Sequence, residues 1–598
     1  MTSLWKKSLA AVATSVAVAS LVVACGGGGG SDISPTPVGP AGPGTSAGKA
    51  ESLRLLAFND FHGHLEKGSN ALFLPNPDSP TATFRVTAGG ADFLAGKLNE
   101  LRAGSTHTLV ISSGDAIGGS PLASAFFRDE SAIEAMNLMK VDINVVGNHE
   151  FDKGLTELKR IIAGGCNTDV SDPNLSSCAS SSKSYAGAKF GFMAANVEGP
   201  DGKPILPPYI IKNVGSQKVA FIGVVTRTTP TIVSPAGVAG LKFTDEAAAI
   251  NKYVAELKGL GIKAIVAVVH EGGATDSTWN DKTCANPRGE IFNIADKLDK
   301  EVDVVLSGHT HQGYNCVRNG FPVMQAFSFG QGISQLDLEI TADGNIDASK
   351  TRAVNVPVVN DNNTNTAVLT AYPMAKSDPA VKKLVDEYVA LVAPKANRDV
   401  GQISATIDRV AAPGGDHAAG RLIADAQLLA TTAADKGSST IAFMNPGGVR
   451  ADFVCAAPPC TVTFGQAFTV QPFANSLVSL SLTGQQIKDV LEQQWTGANA
   501  TRARILQPSR GFTYTWDNAV PAGNRVSNIQ LNGSAIVPTT TYRVTVNSFL
   551  ADGGDGFTTL LAGNNRLGGA QDIDALIAFF AANRPFAPST TARITRLN

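Results

Sequence analysis

The sequence predicts an α/β layered protein built in two successive blocks. From about residue 51 to 345, short runs rich in Val, Ile and Leu alternate with helical stretches. Runs of that kind bury both faces, as strands do when helices cover a sheet. A second block of the same character begins near residue 398. With 598 residues, 43% hydrophobic and 17% charged, the chain can fill more than one core, which excludes a mostly disordered protein. Mean hydropathy is +0.04, and the one long apolar run lies at the extreme N-terminus, so a multi-span membrane protein is excluded. Lys+Arg number 49 against Asp+Glu 51, a net charge of −2. That balance argues against a polymeric nucleic-acid partner, whereas a small nucleotide needs only a local cation.

The first element is a leader. Lys6 and Lys7 precede an apolar, small-residue run from Ser8 to Ala24, too short for a comfortable membrane span. The run ends at Cys25 and five glycines, which resembles a bacterial lipobox with Cys25 as the lipidated first residue of the mature chain. That reading predicts residues 1–24 as signal peptide, 25–50 as a Gly/Pro-rich tether, and lipid anchoring to the bacterial envelope, on the periplasmic face or at the outer membrane. Setting Cys25 aside leaves six cysteines. In an exported chain an even number suggests disulfides, and the local pairing Cys166–Cys178, Cys284–Cys316, Cys455–Cys460 is the simplest.

The strands of the first block come next. Five apolar runs each stop at a polar residue of metal-ligand type. Asp60 and His62 follow the first, and Asp115 follows the second. Asn148, His149 and Asp152 follow the third, His270 the fourth, and His309 and His311 the fifth. Strand C-terminal ends share one edge, where open α/β sheets bind ligands. Five of the eight histidines lie in these endings. Carboxylates, an amide oxygen and imidazoles suit two divalent ions sharing a bridging carboxylate, for which Asp115 is placed. The segment 377–396, with Pro379 near its start, reads as a helix bridging the two blocks. The second block carries NPGGVR (445–450), VQPFANSL around Phe473, and NSFLADGGDGF (547–557).

These motifs, D-x-H (60–62), GD (114–115), GNHEFD (147–152), His270 and GHTH (308–311), resemble the signature of the calcineurin-like metallophosphoesterases. The whole mature chain is similar to the bacterial 5′-nucleotidase/UDP-sugar hydrolase family. The resemblance implies a four-layer β-sandwich flanked by helices over 51–360, a linker and bridging helix over 361–397, and a C-terminal α/β nucleotide-binding domain over 398–598. It implies one metal on Asp60, His62, Asp115 and His311, and a second on Asp115, Asn148, His270 and His309, the ions being Zn, Mn, Co or Mg. His149, oriented by Asp152, would face the scissile phosphate, with His64 behind the ligands. In the C-terminal block it implies substrate contacts from Asn445, Gly448, Arg450, Phe473, Phe549 and Asp555, the two phenylalanines sandwiching the base. Arg421, in DHAAGRLIADAQ, is expected as a second phosphate arginine, although this stretch departs from the commoner Asn-x-Gly-Asn.

The expected function is therefore hydrolysis of extracytoplasmic nucleoside monophosphates by a monomeric two-metal enzyme, water attacking phosphorus in line. On the same scaffold the alternatives are a 2′,3′-cyclic nucleotide phosphodiesterase and a UDP-sugar or dinucleotide pyrophosphatase. A catalytically inactive nucleotide-binding lipoprotein is a further alternative of another class.

Overall fold

The computed structural model describes residues 48–68, 71–169, 175–473 and 475–598. The leader, Cys25 and most of the tether lie outside the described residues. Two six-stranded sheets dominate the first block. One runs in the order Arg352–Pro357, Gly332–Ile340, Glu51–Phe58, Thr108–Ser112, Ile143–Val145, Gly191–Met193. The other runs Gly313–Arg318, Phe321–Ala326, Val304–Ser307, Ala264–His270, Gln217–Val225, Tyr209–Val214. The first has four parallel strands with two antiparallel strands along one edge, and the second has a parallel centre with an antiparallel strand at each edge.

Alternate residues of the two sheets meet in one core. Leu53, Leu55, Ile111, Ile143 and Val145 face Phe221, Val266, Val268, Val304 and Leu306. The opposite faces are covered by helices. Ala91–Arg102 and Glu130–Leu138 contribute to the core outside the first sheet, and Glu246–Gly259 and Glu290–Lys297 to that outside the second. Helix, sheet, sheet and helix give the expected four layers. Strands such as Ala264–His270 have every residue buried, which is why they read as unbroken apolar runs.

The second block holds a five-stranded sheet in the order Gln507–Pro508, Ile441–Met444, Thr541–Asn547, Ser476–Thr483, Asn564–Gln571. The helix Ala418–Thr431 packs on it beside Asp572–Ala582.

The bridging helix spans Pro379–Ala396. Asp378 caps it, accepting from the backbone N–H of Ala380 at 2.9 Å and Val381 at 3.0 Å. Val381, Val385, Tyr388 and Val392 form its buried stripe. It packs on helices of the first block and on Phe464–Val470 of the second, and one continuous core runs from Leu94 through Tyr388 to Phe580. Its buried face is packed on both blocks while its other face is exposed, so turning one block against the other about it would require repacking this core. All three expected disulfides are formed. No described helix is long and apolar enough to cross a membrane.

Candidate metal centre and cavity

The parallel strands of both sheets end on one rim, and the predicted ligands converge there. Asp60 and His62 follow Glu51–Phe58, Asp115 follows Thr108–Ser112, and Asn148 follows Ile143–Val145. His270 ends Ala264–His270, and His309 and His311 follow Val304–Ser307. Asp60, His62, Asp115, His309 and His311 all have φ between 46° and 73°, a left-handed region that side-chain-bearing residues enter only when their surroundings hold them there.

Two groups of ligand atoms form around Asp115. In the first, Asp115 Oδ2 lies 3.6 Å from His62 Nε2, and His311 Nε2 lies 3.3 Å from Asp60 Oδ1. In the second, Asp115 Oδ2 is 3.1 Å from His270 Nε2, which is 3.2 Å from Asn148 Oδ1; His309 completes this cluster. The imidazoles are oriented from behind. His62 Nδ1 donates to the Gly118 carbonyl at 2.7 Å and His270 Nδ1 to the Ser113 carbonyl at 2.8 Å. A carbonyl only accepts, so each Nδ1 carries a proton, and in the neutral ring each Nε2 presents a lone pair to a cation. His62 Nε2 then faces His311 Nε2 at 3.2 Å, and His270 Nε2 faces two oxygens. Lone pairs and carboxylates at such separations repel unless protons or cations lie between them. The donor set fits two divalent ions with Asp115 between them.

Two supporting residues carry no role in the sequence reading. Glu150, buried, accepts from the backbone N–H of Gly147 and Asp115 on one oxygen and of Ala116 on the other. It thereby ties the loop of Asp115 to the loop of Asn148. Burial, then the Asp115 charge, pushes its carboxyl up to about 7. Asn59 donates to Asp60 Oδ2 at 2.7 Å and accepts from Ala326 N–H at 3.0 Å. GNHE and ND place both beside ligands, but only the fold reveals which way they turn. His64 is half-buried and stacks on Phe329 with ring centroids 3.9 Å apart. Phe329 in turn meets the edges of His62 and His311, so His64 backs the centre without entering it.

His149 Nδ1 lies 2.8 Å from Asp152 Oδ2. Burial works against its protonated form, but the Asp152 and Asp115 carboxylates outweigh it and raise the imidazole above its ordinary value.

The cluster opens into a cavity of about 680 Å³, to which the second block supplies the opposite wall. Asn445, Gly448, Arg450, Phe473, Phe549 and Asp555 all line it. Asn445 Nδ2 donates to Asp555 Oδ2 at 2.9 Å, and Asn547 Nδ2 donates to Asn445 Oδ1 at 3.0 Å. Gly447 is open to the cavity, whereas a side chain at Gly448 would strike Met444. Arg450 reaches across to Gly119, in the loop after Asp115, and its guanidinium lies 5.8 Å from the Phe473 ring centroid.

Arg421 is a correction. It does not line the cavity. Its Nη1 donates to Asp416 Oδ2 at 2.8 Å and its Nη2 to the Ser589 carbonyl at 2.9 Å. Arg593 also donates to Asp416 through its backbone N–H. Arg421 neutralises a buried carboxylate and fastens the C-terminal tail, so it is not placed to grip a phosphate. Arg502 and Arg504, which the sequence reading passed over, do line the cavity.

A rim of carboxylates and imidazoles at the strand ends of a helix-flanked double sheet is the arrangement that the resemblance to the metallophosphoesterases implied. Residues 53–313 match the family model for calcineurin-like phosphoesterase, and residues 399–562 match that for the 5′-nucleotidase C-terminal domain. The chain belongs to the calcineurin-like phosphoesterases that carry a 5′-nucleotidase C-terminal domain, a family of metal-dependent phosphoester hydrolases. It is 32% identical over 549 residues to Endonuclease YhcR of Bacillus subtilis, covering 91% of this chain but only 41% of that one. It is 26% identical to the snake venom 5′-nucleotidase of Gloydius brevicauda, covering 92% of this chain and 89% of that one. Among solved structures it resembles a 5′-nucleotidase precursor from Thermus thermophilus, with a TM-score of 0.72, 25% identity, and 92% and 99% of the two chains covered.

Proposed function

We propose that this protein is an exported nucleotide phosphohydrolase of the 5′-nucleotidase type, releasing nucleoside and phosphate from nucleoside monophosphates. The observation that carries the reading is the single cavity joining the Asp115-centred cluster to Arg450, Phe473, Phe549 and Asp555. Residues 51–360 would perform the chemistry and 398–598 recognise the nucleotide, with 361–397 between them.

Asp60, His62, Asp115 and His311 would hold one ion, and Asp115, Asn148, His270 and His309 the other. Bound there, two divalent ions polarise phosphoryl oxygens and supply a nucleophile from water near neutral pH. His149 Nε2, with Nδ1 anchored by Asp152, presents a proton to the phosphoryl or leaving oxygen. Arg450 offers a planar fork to the phosphate. Phe473 and Phe549 supply aromatic faces to the base, which any base can use, and Asp555 accepts from the ribose hydroxyls.

The three disulfides fit an exported chain. We further propose lipid attachment at Cys25; mass analysis of the wild type against Cys25→Ser tests it, an unshifted mass rejecting the anchor.

The deciding assay compares AMP, UDP-glucose, 2′,3′-cAMP and single-stranded DNA with the metal-loaded full chain. Turnover of AMP above the others supports the reading. Preference for the cyclic or pyrophosphate substrate would move it to one of the two related activities, and cleavage of DNA alone would overturn it.

A further inference from the structure

With Arg421 committed to Asp416, the expected pair of phosphate arginines has lost a member, and a different loop supplies one. Asn499 donates to the carbonyls of Gln493 at 2.9 Å and Asp555 at 2.8 Å. Arg504 donates through Nη1 to Asn499 Oδ1 at 3.0 Å, and its Nε lies 3.5 Å from Asp555 Oδ1. These contacts fasten the segment 499–504 to the turn that carries Asp555. Arg502, between the two anchors, lines the cavity together with His309, His311 and Arg450.

Among the described residues the Arg502 guanidinium has no hydrogen-bond acceptor and no ion-pair partner, and that of Arg450 has only the Phe473 ring. Arg502 is exposed on the open side of the cavity, and Arg450 is half-buried in its wall. Each guanidinium therefore keeps its donors free for an anion that enters the cavity. Arg450 acts electrostatically on Asp115 and Asp152, and Arg502 on His309 and Glu271. Arg450 lies beside Gly119, in the loop after Asp115, whereas Arg502 projects from a separate loop anchored at the Asp555 turn.

We infer that Arg502 is the second phosphate-gripping arginine, clamping the phosphoryl group at the cluster jointly with Arg450, while Arg504 holds the loop in place. The inference rests on the phosphohydrolase reading. Two forks from separate loops fix the phosphoryl oxygens in two planes, which one fork and a point charge do not.

The test uses the metal-loaded full chain with Arg502→Ala and Arg502→Lys. Inorganic phosphate binding is read by calorimetry, and turnover is read on AMP and on an aryl phosphate. A lost charge-assisted pair should weaken phosphate binding about ten- to a hundredfold and raise KM for both substrates by a similar factor. Added guanidinium should restore part of the loss in Arg502→Ala, and Arg502→Lys should fall between. Unchanged phosphate binding would overturn the inference. So would a loss confined to AMP, which would put Arg502 on the nucleoside. A loss without guanidinium rescue and with a lowered Tm would make it a packing residue. If the wild type turned over the aryl phosphate but no nucleotide, the nucleotide reading would fail, and phosphate binding would still decide the role of Arg502.

Discussion

The Phe473 ring of the C-terminal block stacks on the His149 imidazole of the metal-centre block, with centroids 5.7 Å apart and planes 16° from parallel. The residue proposed to hold the base thus lies against the residue proposed to face the phosphate. Recognition and chemistry meet across a single ring contact, and substrate must enter beside it.

That contact separates a clamp from a packing residue. Stacking contributes on the order of 1–3 kcal/mol per base. Phe549→Ala should lower kcat/KM for AMP about ten- to a hundredfold and barely affect a small aryl phosphate. Phe473→Ala should do the same and also alter turnover of the aryl phosphate, because it uncovers His149. Equal losses on both substrates for Phe549→Ala, with a lower Tm, would identify a core residue instead.

Asp115 lies between the two ligand groups, 3.6 Å from His62 and 3.1 Å from His270. Asp115→Ala should empty both metal sites and abolish turnover. His149→Ala should keep both ions and lose turnover, since its partner is Asp152. Elemental analysis beside steady-state rates checks both; two ions retained in Asp115→Ala would contradict the bridging role.

Glu150 uses both oxygens on three backbone donors in the loops of Asp115 and Asn148. Glu150→Gln replaces one acceptor oxygen by a donor and leaves at least one buried N–H unpaired, costing roughly 1–3 kcal/mol. Metal affinity should drop together with Tm. Wild-type affinity in this variant would mean that the loops hold their shape without the carboxylate.

His417 caps the helix Ala418–Thr431, its Nδ1 accepting from Gly420 N–H at 3.0 Å. Burial, then the charges of Arg409 and Arg421, lowers its imidazole to about 4. The folded state therefore favours the neutral ring. Its contribution is full above the unfolded value near 6.5 and is lost as pH falls from there toward 4. His417→Asn caps without titrating, so its Tm-against-pH profile should be flatter than wild type across that interval. Parallel profiles would remove His417 as the cause.

Much of the first block could be read from the sequence, because its signals are local. A strand buried on both faces is an apolar run, and a ligand at its C-terminal end is the next polar residue. Asp60, Asp115, Asn148, His270 and His309 each announce themselves that way, and the three disulfides join near neighbours in sequence. Arg421 misled because residue type and approximate location are weak information: a guanidinium binds whichever anion is nearest, and the nearest is Asp416, five residues away in sequence. Arg502 sits in a loop without periodicity, where nothing local marks its direction.

The sequence by itself determined the α/β class, the strand-end cluster of carboxylates and imidazoles and the pairing of the disulfides, since strand periodicity and strand-end chemistry are properties of short segments. Only the tertiary structure decided that Glu150 ties two loops of the cluster together, that the bridging helix packs one face into a core shared by both blocks, and that Arg502 rather than Arg421 reaches the cavity. Those depend on which distant groups fill each side chain's surroundings, and long-range packing and charge pairing are settled only when the whole chain closes on itself.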